Sequence, residues 1–324
     1  MKTKRRIPLL SGVCIIASAS IVALYWFRWG RPDFTNVLDW ALLLAVPFAL
    51  VLLALWFNVI HRRNDRKLAA EYLRETALHA YIDNVSGLLL EKGLRSSQPG
   101  DEVRNLARAR TVTLLSQLDT KRKLRVVQFL CESQLIAVVG LYGADLQEVN
   151  LAHMPLSGAN LVGANLSKAD LSGANLSGAD LSKANLSETN LNRADLSKAK
   201  LNGVHLNKAN LKGAYLSTAD LGYAILSEAN LSETNLTGAN LSKADLSYAI
   251  LSEANLIVAD LSRANLSEAD LRGARLSGAN FNGTNLNGAD LSGANLNNTY
   301  LSLEQLTKAK GLQEYQVDIE EPQS

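Results

Sequence analysis

The side chains able to do chemistry are sparse in this chain. Its four histidines, His61, His79, His153 and His205, are scattered, and none stands beside a cysteine or carboxylate at metal-ligand spacing. Cys14 lies in an apolar run and Cys131 in a helix-like segment, so the two cysteines make neither a disulfide framework nor a catalytic pair. Asp and Ser are abundant but recur in a fixed pattern with no neighbouring base to activate a nucleophile. No glycine-rich loop opens a helix to hold phosphate. These residues predict no catalytic site, no cofactor, no metal and no small-molecule substrate, and what remains is decided by the elements that carry them.

The 324 residues have a formal net charge of +2, but the charge is divided. Residues 1–140 carry 20 Lys and Arg against 11 Asp and Glu, whereas residues 141–324 sum to −7. A single compact globule is excluded by three unlike parts: two apolar runs, a basic helix-like stretch, and a long repeat.

From Ile7 to Phe27 and from Trp40 to Ile60 there are two charge-free runs of 21 residues. Each is long enough to cross a hydrocarbon core of roughly 30 Å as a helix. Residues 1–67 therefore read as a transmembrane hairpin, with helices at about 7–27 and 40–60. Lys2, Lys4, Arg5 and Arg6 precede the first run, and Arg62, Arg63, Arg66 and Lys67 follow the second, which places both termini on the cytoplasmic side of a cell membrane. Trp26, Trp29, Trp40 and Trp56 lie at or near run ends, as interfacial anchors do. Ala17-Ser18-Ala19 looks like a signal-peptide cleavage site, but the apolar stretch continues to Phe27, too long for an h-region.

Residues 68–140 read as an α-helical connector. Leu68, Tyr72, Leu73, Leu78 and Ile82 recur near helical spacing, Ser96 to Gly100 interrupts them, and two further helices follow, joined near Asp119. The basic cluster Lys121, Arg122, Lys123 and Arg125 reads as a solvated face.

From Leu141 to Lys310 every fifth residue is Leu, apart from Phe281, through 34 pentads. Two residues before each the position is Ala in 26 pentads, Thr in four and Val in two, with Met154 and Glu304 as exceptions, and between them stands usually Asn or Asp. A helix turning 100° per residue would spread leucines spaced by five around its circumference. A continuous strand would send successive leucines to opposite faces, because five is odd. Only a chain that turns once per pentad keeps them together, with short strands pairing to the coils above and below. Leu161, Leu181, Leu201, Leu226, Leu246 and Phe281 are then core residues.

The motif Ala-(Asp/Asn)-Leu-X-X resembles that of the pentapeptide-repeat family. The resemblance implies a mainly β fold, a right-handed quadrilateral β-helix with four pentads per coil, about 8.5 coils and on the order of 40 Å long over residues 141–312. Leu301 to Leu312 resembles a terminal coil, and residues 313–324 read as an acidic flexible tail. Arg74-Glu75-Thr76-Ala77 and Asp101 to Thr111 resemble the leader of cyanobacterial membrane-associated members, a segment placed to cover the open first coil. The resemblance implies a membrane-anchored, non-enzymatic scaffold for an unidentified protein partner. An alternative is a regulatory subunit affecting transport or envelope and lipid assembly. Some members imitate DNA and occupy DNA gyrase, but residues 141–310 carry 16 acidic and 13 basic side chains, far short of the charge density of duplex DNA, and no nucleic acid is expected as a partner.

At 20 residues per coil, departures from Asn or Asp at the central position fall on mapped faces. Asp180, Lys200 and Asp220 share one column. His205 lies below Ile225, and Tyr-Ala-Ile-Leu-Ser-Glu-Ala-Asn occurs at both 223–230 and 248–255, turning Tyr223, Ile225, Tyr248 and Ile250 outward. The repeated phrase fits either a 25-residue duplication or an anchor for a protein partner, with His205, Tyr223, Ile225, Tyr248 and Ile250 as its residues. Tyr215, Arg275 and Tyr300 break the pattern singly.

The topology has a direct test: reporters fused after Arg66 and at Ser324 both report cytoplasm, and an external signal from either overturns the hairpin.

Overall fold

A computed structural model describes residues 37–312 of the protein, with side chains from residue 48 onward. The chain divides into two compact units, Met1–Arg74 and Glu75–Ser324.

In the first unit the described residues belong to helix α1, Val37–Glu91, which continues into the second unit. Phe48, Leu52, Leu53, Leu55, Trp56, Phe57 and Val59 are exposed on it. The expected span 7–27, with Trp26 and Trp29, lies outside the described residues, and the span 40–60, with Trp40, lies partly outside. Among the described residues no helix is long and apolar enough to cross a membrane, so the two spans gain no support here. The amphipathic stripe also starts later than its sequence suggests. Leu68, Tyr72 and Leu73 are exposed, whereas Leu78, Tyr81 and Val85 are buried one turn apart.

The second unit begins with a helical cap. After a short 3₁₀ turn, Leu94–Ser96, come α2 (Glu102–Leu115), α3 (Thr120–Glu132) and α4 (Ile136–Val139). Asp119 caps α3 by accepting from the Arg122 N–H at 3.1 Å. Tyr81 ties α1 to α2 through Thr111 Oγ1 at 2.8 Å, and burial pushes its phenol up to about 12. Val126, Val127, Leu130, Leu135 and Ile136 join one apolar core with the first coil's leucines, which removes that coil's open end from water.

The basic cluster of α3 is not the solvated face read from the sequence. Lys123 is buried and donates to Asp145 Oδ2 at 2.8 Å, while Arg122 joins Glu75 at 2.9 Å and also pairs with Asp119. The reason is helical spacing: Lys123 lies three and four residues before Val126 and Val127, so the stripe that packs on the solenoid carries it inward. Lys121 and Arg125 remain exposed. Burial is the largest single influence on Asp145 and opposes its charge, but the hydrogen bonds from Lys123, Gln147 N and Asn165, with the Lys123 charge, together outweigh it and hold the carboxyl below the usual range.

From Leu141 the chain winds into a four-sided solenoid whose isolated parallel bridges each join residues 20 apart, from Asp145 with Asn165 to Asp290 with Lys310. The short strand expected for each pentad shrinks to one bridging residue, because the preceding Ala N–H is used to close a turn on the Leu carbonyl.

Every backbone donor of a regular pentad has an acceptor, as residues 161–165 illustrate. Leu161 N donates to Asp180 O at 2.7 Å and Gly163 N to Ser182 O at 3.0 Å, both one coil ahead. Asn165 N donates to Ala144 O, one coil behind, at 2.9 Å. Ala164 N closes a turn on Leu161 O at 3.0 Å, and Val162 N meets Asn160 Oδ1 at 3.3 Å. The central Asn or Asp is therefore the acceptor for the donor that the coils themselves leave over. The third residue of each pentad from Gly143 to Asn298 sits at positive φ, about 62° at Gly163 but also 59° at Lys168 and 51° at Val258. Only glycine takes this conformation without cost, and each other residue is held there against roughly 1–2 kcal/mol by bonds to the next coil.

Leu161, Leu181, Leu201, Leu226, Leu246 and Phe281 are all no more than 1% exposed. The C-terminal end departs from the expected coil. Residues Leu303–Lys308 form helix α5, with Ser302 and Gln305 in a capping box. Gln305 Nε2 reaches back to Thr284 O at 3.0 Å, a carbonyl of the kind that the next coil bonds through its backbone in regular pentads, and to Phe281 O at 2.8 Å, which also accepts the turn bond from Thr284 N. Glu304 stands where a regular pentad buries a small residue, and it pairs instead with Lys308 at 2.5 Å. A carboxylate cannot enter a leucine interior unpaired, and the local helix signal prevails.

Each buried leucine contributes roughly 1.5–3 kcal/mol through burial. Leu226→Ala is expected to cost about 2–5 kcal/mol in thermal unfolding, and Leu226→Asp to unravel the middle coils. Circular dichroism and proteolysis indistinguishable from wild type for Leu226→Asp contradict the inward column.

Candidate protein-interaction surface

The central residues of successive pentads form four outward columns. On one face Asn265 Nδ2 donates to Asp245 Oδ1 at 3.0 Å and Asn285 Nδ2 to Asn265 Oδ1 at 2.9 Å. On the next, Asn190 Nδ2 donates to Asp170 Oδ1 at 3.0 Å and Asn210 Nδ2 to Asn190 Oδ1 at 3.2 Å. Side-chain ladders thus join the coils on the outside as backbone bonds do beneath.

His205 and Ile225 are adjacent bridge partners that interrupt the first ladder, and Ile250, between Asn230 and Asp270, interrupts the second. Tyr248 stands at the corner between these two faces, and Tyr223 at the corner before Ile225. All five side chains are exposed, with Tyr223 at 55%, Ile225 at 37%, Tyr248 at 63% and Ile250 at 42%. The structure therefore brings Tyr223, Ile225, Tyr248 and Ile250 onto adjoining parts of the wall, with His205 one coil below. Isoleucine has no oxygen for the leftover donor, so Ser227 N and Ser252 N lack the side-chain acceptor that regular pentads supply. These substitutions remove bonds and bury nothing.

Two features of this surface are not evident from residue spacing alone. Lys243 Nζ donates to Tyr223 Oη at 2.6 Å and sits 4.7 Å from its ring centroid, so Tyr223 is braced by a cation from the next coil. Val258, 60% exposed at positive φ, is a second apolar corner, signalled in the sequence only by Ile-Val standing where Ser-X is usual. Tyr215, Arg275 and Tyr300 are exposed singly.

Charged corners form exposed ion pairs along the wall, Lys168 with Glu188 at 3.8 Å, Lys208 with Glu228 at 3.6 Å and Lys212 with Glu233 at 3.1 Å, each contributing little to stability. Lys200 lies 3.8 Å from Asp180 in the column shared with Asp220. A hydrogen bond from Arg272 holds the Asp270 carboxyl below its usual range despite partial burial.

Among the described residues no three His, Cys, Asp or Glu side chains are placed to hold a metal ion. Cys131 is half-buried, and desolvation raises its thiol to about 11, the reverse of an activated nucleophile. An open cleft of about 840 Å³ separates the last coil from α5, and its charged lining residues, Glu304 and Lys308, are paired with each other.

The family model for pentapeptide repeats matches residues 144–182, 184–222, 224–263 and 259–298, in eight copies. A solved structure similar to this chain is HetL, a pentapeptide repeat protein involved in heterocyst differentiation regulation from the cyanobacterium Nostoc sp. strain PCC 7120. It is 37% identical, with a TM-score of 0.37, over 50% of this chain and 82% of HetL. Rfr23 from the cyanobacterium Cyanothece 51142 is 43% identical, with a TM-score of 0.27, over 30% of this chain and 64% of that protein. QnrB1, a plasmid-mediated fluoroquinolone resistance protein, is 19% identical in its trypsin-treated form, with a TM-score of 0.34, over 51% of this chain and 85% of that protein. No curated protein matches the chain.

The ladder geometry separates a structural role for the isoleucines from a binding role. Asn at 225 and 250 supplies the acceptors missing for Ser227 and Ser252, so the double variant Ile225→Asn, Ile250→Asn is expected to be as stable as wild type or more stable by up to about 1–2 kcal/mol. Chemical denaturation checks this, and a loss of more than about 1 kcal/mol assigns the isoleucines to the fold instead.

Proposed function

The chain belongs to the pentapeptide-repeat family, and from that premise we propose that its solenoid is a non-enzymatic scaffold that docks a protein partner through His205, Tyr223, Ile225, Tyr248 and Ile250. The observation that carries this reading is the interruption of two Asn ladders, on adjoining faces, by exposed apolar side chains that deprive backbone donors of acceptors. Aromatic and aliphatic residues grouped on an otherwise polar wall are what a protein interface uses as anchors. A regular solenoid positions them rigidly, so little conformational entropy is lost on docking.

The N-terminal part acts as a membrane anchor in this proposal, with the solenoid in the cytoplasm. Three features support it: the charge-free sequence from Trp40 to Ile60, the exposed apolar side chains of α1 from Phe48 to Val59, and the basic group Arg62, Arg63, Arg66 and Lys67 that follows. Basic residues next to an apolar segment favour an anionic cytoplasmic leaflet.

The docking reading is tested by pull-down from detergent-solubilised membranes of the native host. Changing Tyr223, Ile225, Tyr248 and Ile250 together to Ser is expected to reduce partner recovery at least about tenfold, because clustered anchors carry most of an interface's energy. Equal recovery by a variant with a wild-type circular dichroism spectrum removes the patch as the docking site.

A further inference from the structure

We infer that the partner segment docking on this patch is basic and amphipathic, with apolar residues against Ile225, Tyr248 and Ile250 and Lys or Arg beside them. The inference rests on the proposed docking role of these residues and adds the chemistry of what they hold.

The charge around the anchors carries it. Tyr248 lies in a corner column with Glu228 one coil below and Glu268 one coil above, linked through Glu228 N to Ser247 O and Tyr248 N to Ser267 O at 3.0 and 2.9 Å. Asp245 is the bridge partner above Ile225, and Asp270 the one above Ile250. Glu253 occupies the corner that follows Ile250. Five carboxylates thus border three apolar anchors.

This bias is regional. Residues 216–270 contain eight acidic and two basic side chains, whereas residues 161–215 contain four acidic and seven basic. Of the two basic groups, Lys243 is occupied by Tyr223. Lys208 and Lys310 approach Glu228 and Glu268 at 3.6 and 3.5 Å, but both pairs are exposed, and such pairs exchange readily for other cations. Asp270 is matched by Arg272 at 2.7 Å. Glu253 has no ion-pair partner among the described residues, and Asp245 accepts only from the neutral donors Ser247 N and Asn265 Nδ2. Glu253 and Asp245 are thus left without a cation beside the anchors, an acidic excess that favours a basic segment over nucleic acid or an acidic peptide.

The test places p-benzoylphenylalanine at position 248 of the full-length chain, irradiates intact cells of the native host, and identifies crosslinked peptides by mass spectrometry. The same probe at position 175, on the face opposite Ile225 and more than two coils away, measures background. Peptides enriched at 248 over 175 are expected to carry more Lys and Arg than Asp and Glu. In a chain with Glu228→Gln, Glu253→Gln and Glu268→Gln their capture falls about threefold or more. Enriched peptides that are neutral or acidic overturn the basic partner while leaving the docking surface standing, and so does unchanged capture by the triple variant. The peptide composition reads the partner's charge even if that variant loses its fold. No enrichment at 248 overturns both the partner class and the docking surface.

Discussion

The rest of the molecule depends on one register: each coil bonds to its neighbours at an offset of 20 residues. That offset stacks the leucine column, with Phe281 within it, and gives three backbone donors of each regular pentad a carbonyl acceptor on a neighbouring coil, while a fourth closes a turn within the pentad. The fifth donor is left to the side chain between Ala and Leu, which is why that position is so often Asn or Asp. The interior is apolar and the regular pentads of the walls are fully hydrogen-bonded, so stability is shared along the stack and no coil is secure without neighbours.

A stack has two open ends, and they are closed by different means. At the N-terminal end an apolar helical stripe covers the leucines, and one buried lysine, Lys123, meets the first carboxylate of a column, Asp145. Leaving that lysine unpaired would strand a charge in the core, which ties the cap's position to the coil beneath it. At the C-terminal end a short helix swings across, and one glutamine side chain replaces the coil that is not there. Both closures use polar groups to fix where apolar surfaces meet.

Because the walls are built by rule, exceptions on them carry information. A charged residue at a central position can pair with a neighbour, as Lys200 does with Asp180, and remain within the logic of the wall. An exposed isoleucine cannot: it neither accepts the spare donor nor leaves water. The concentration of such residues where acidic side chains also outnumber basic ones gives this part of the solenoid its chemical character.

The five-residue leucine period by itself determined the solenoid, since neither a helix nor a flat strand can gather such leucines on one side, and it placed Tyr223, Ile225, Tyr248 and Ile250 outward once four pentads per coil were assumed. The anchoring function assigned to Trp26, Trp29, Trp40 and Trp56 remains a reading of sequence, as do the two spans. Other features came only with the tertiary structure. Spacing could not tell that Lys123 faces inward, because its partner Asp145 is brought to it by the packing of α3 on the first coil. Nor could it tell that Lys243 braces Tyr223, which requires the coils to be stacked. The final pentads keep the leucine period in sequence but leave the coil path in structure, because Ser302 and Gln305 cap a helix over Leu303–Lys308. Periodicity is a local property that a sequence displays outright, whereas ends, caps and cross-coil partners depend on groups far apart in the chain that only folding makes neighbours.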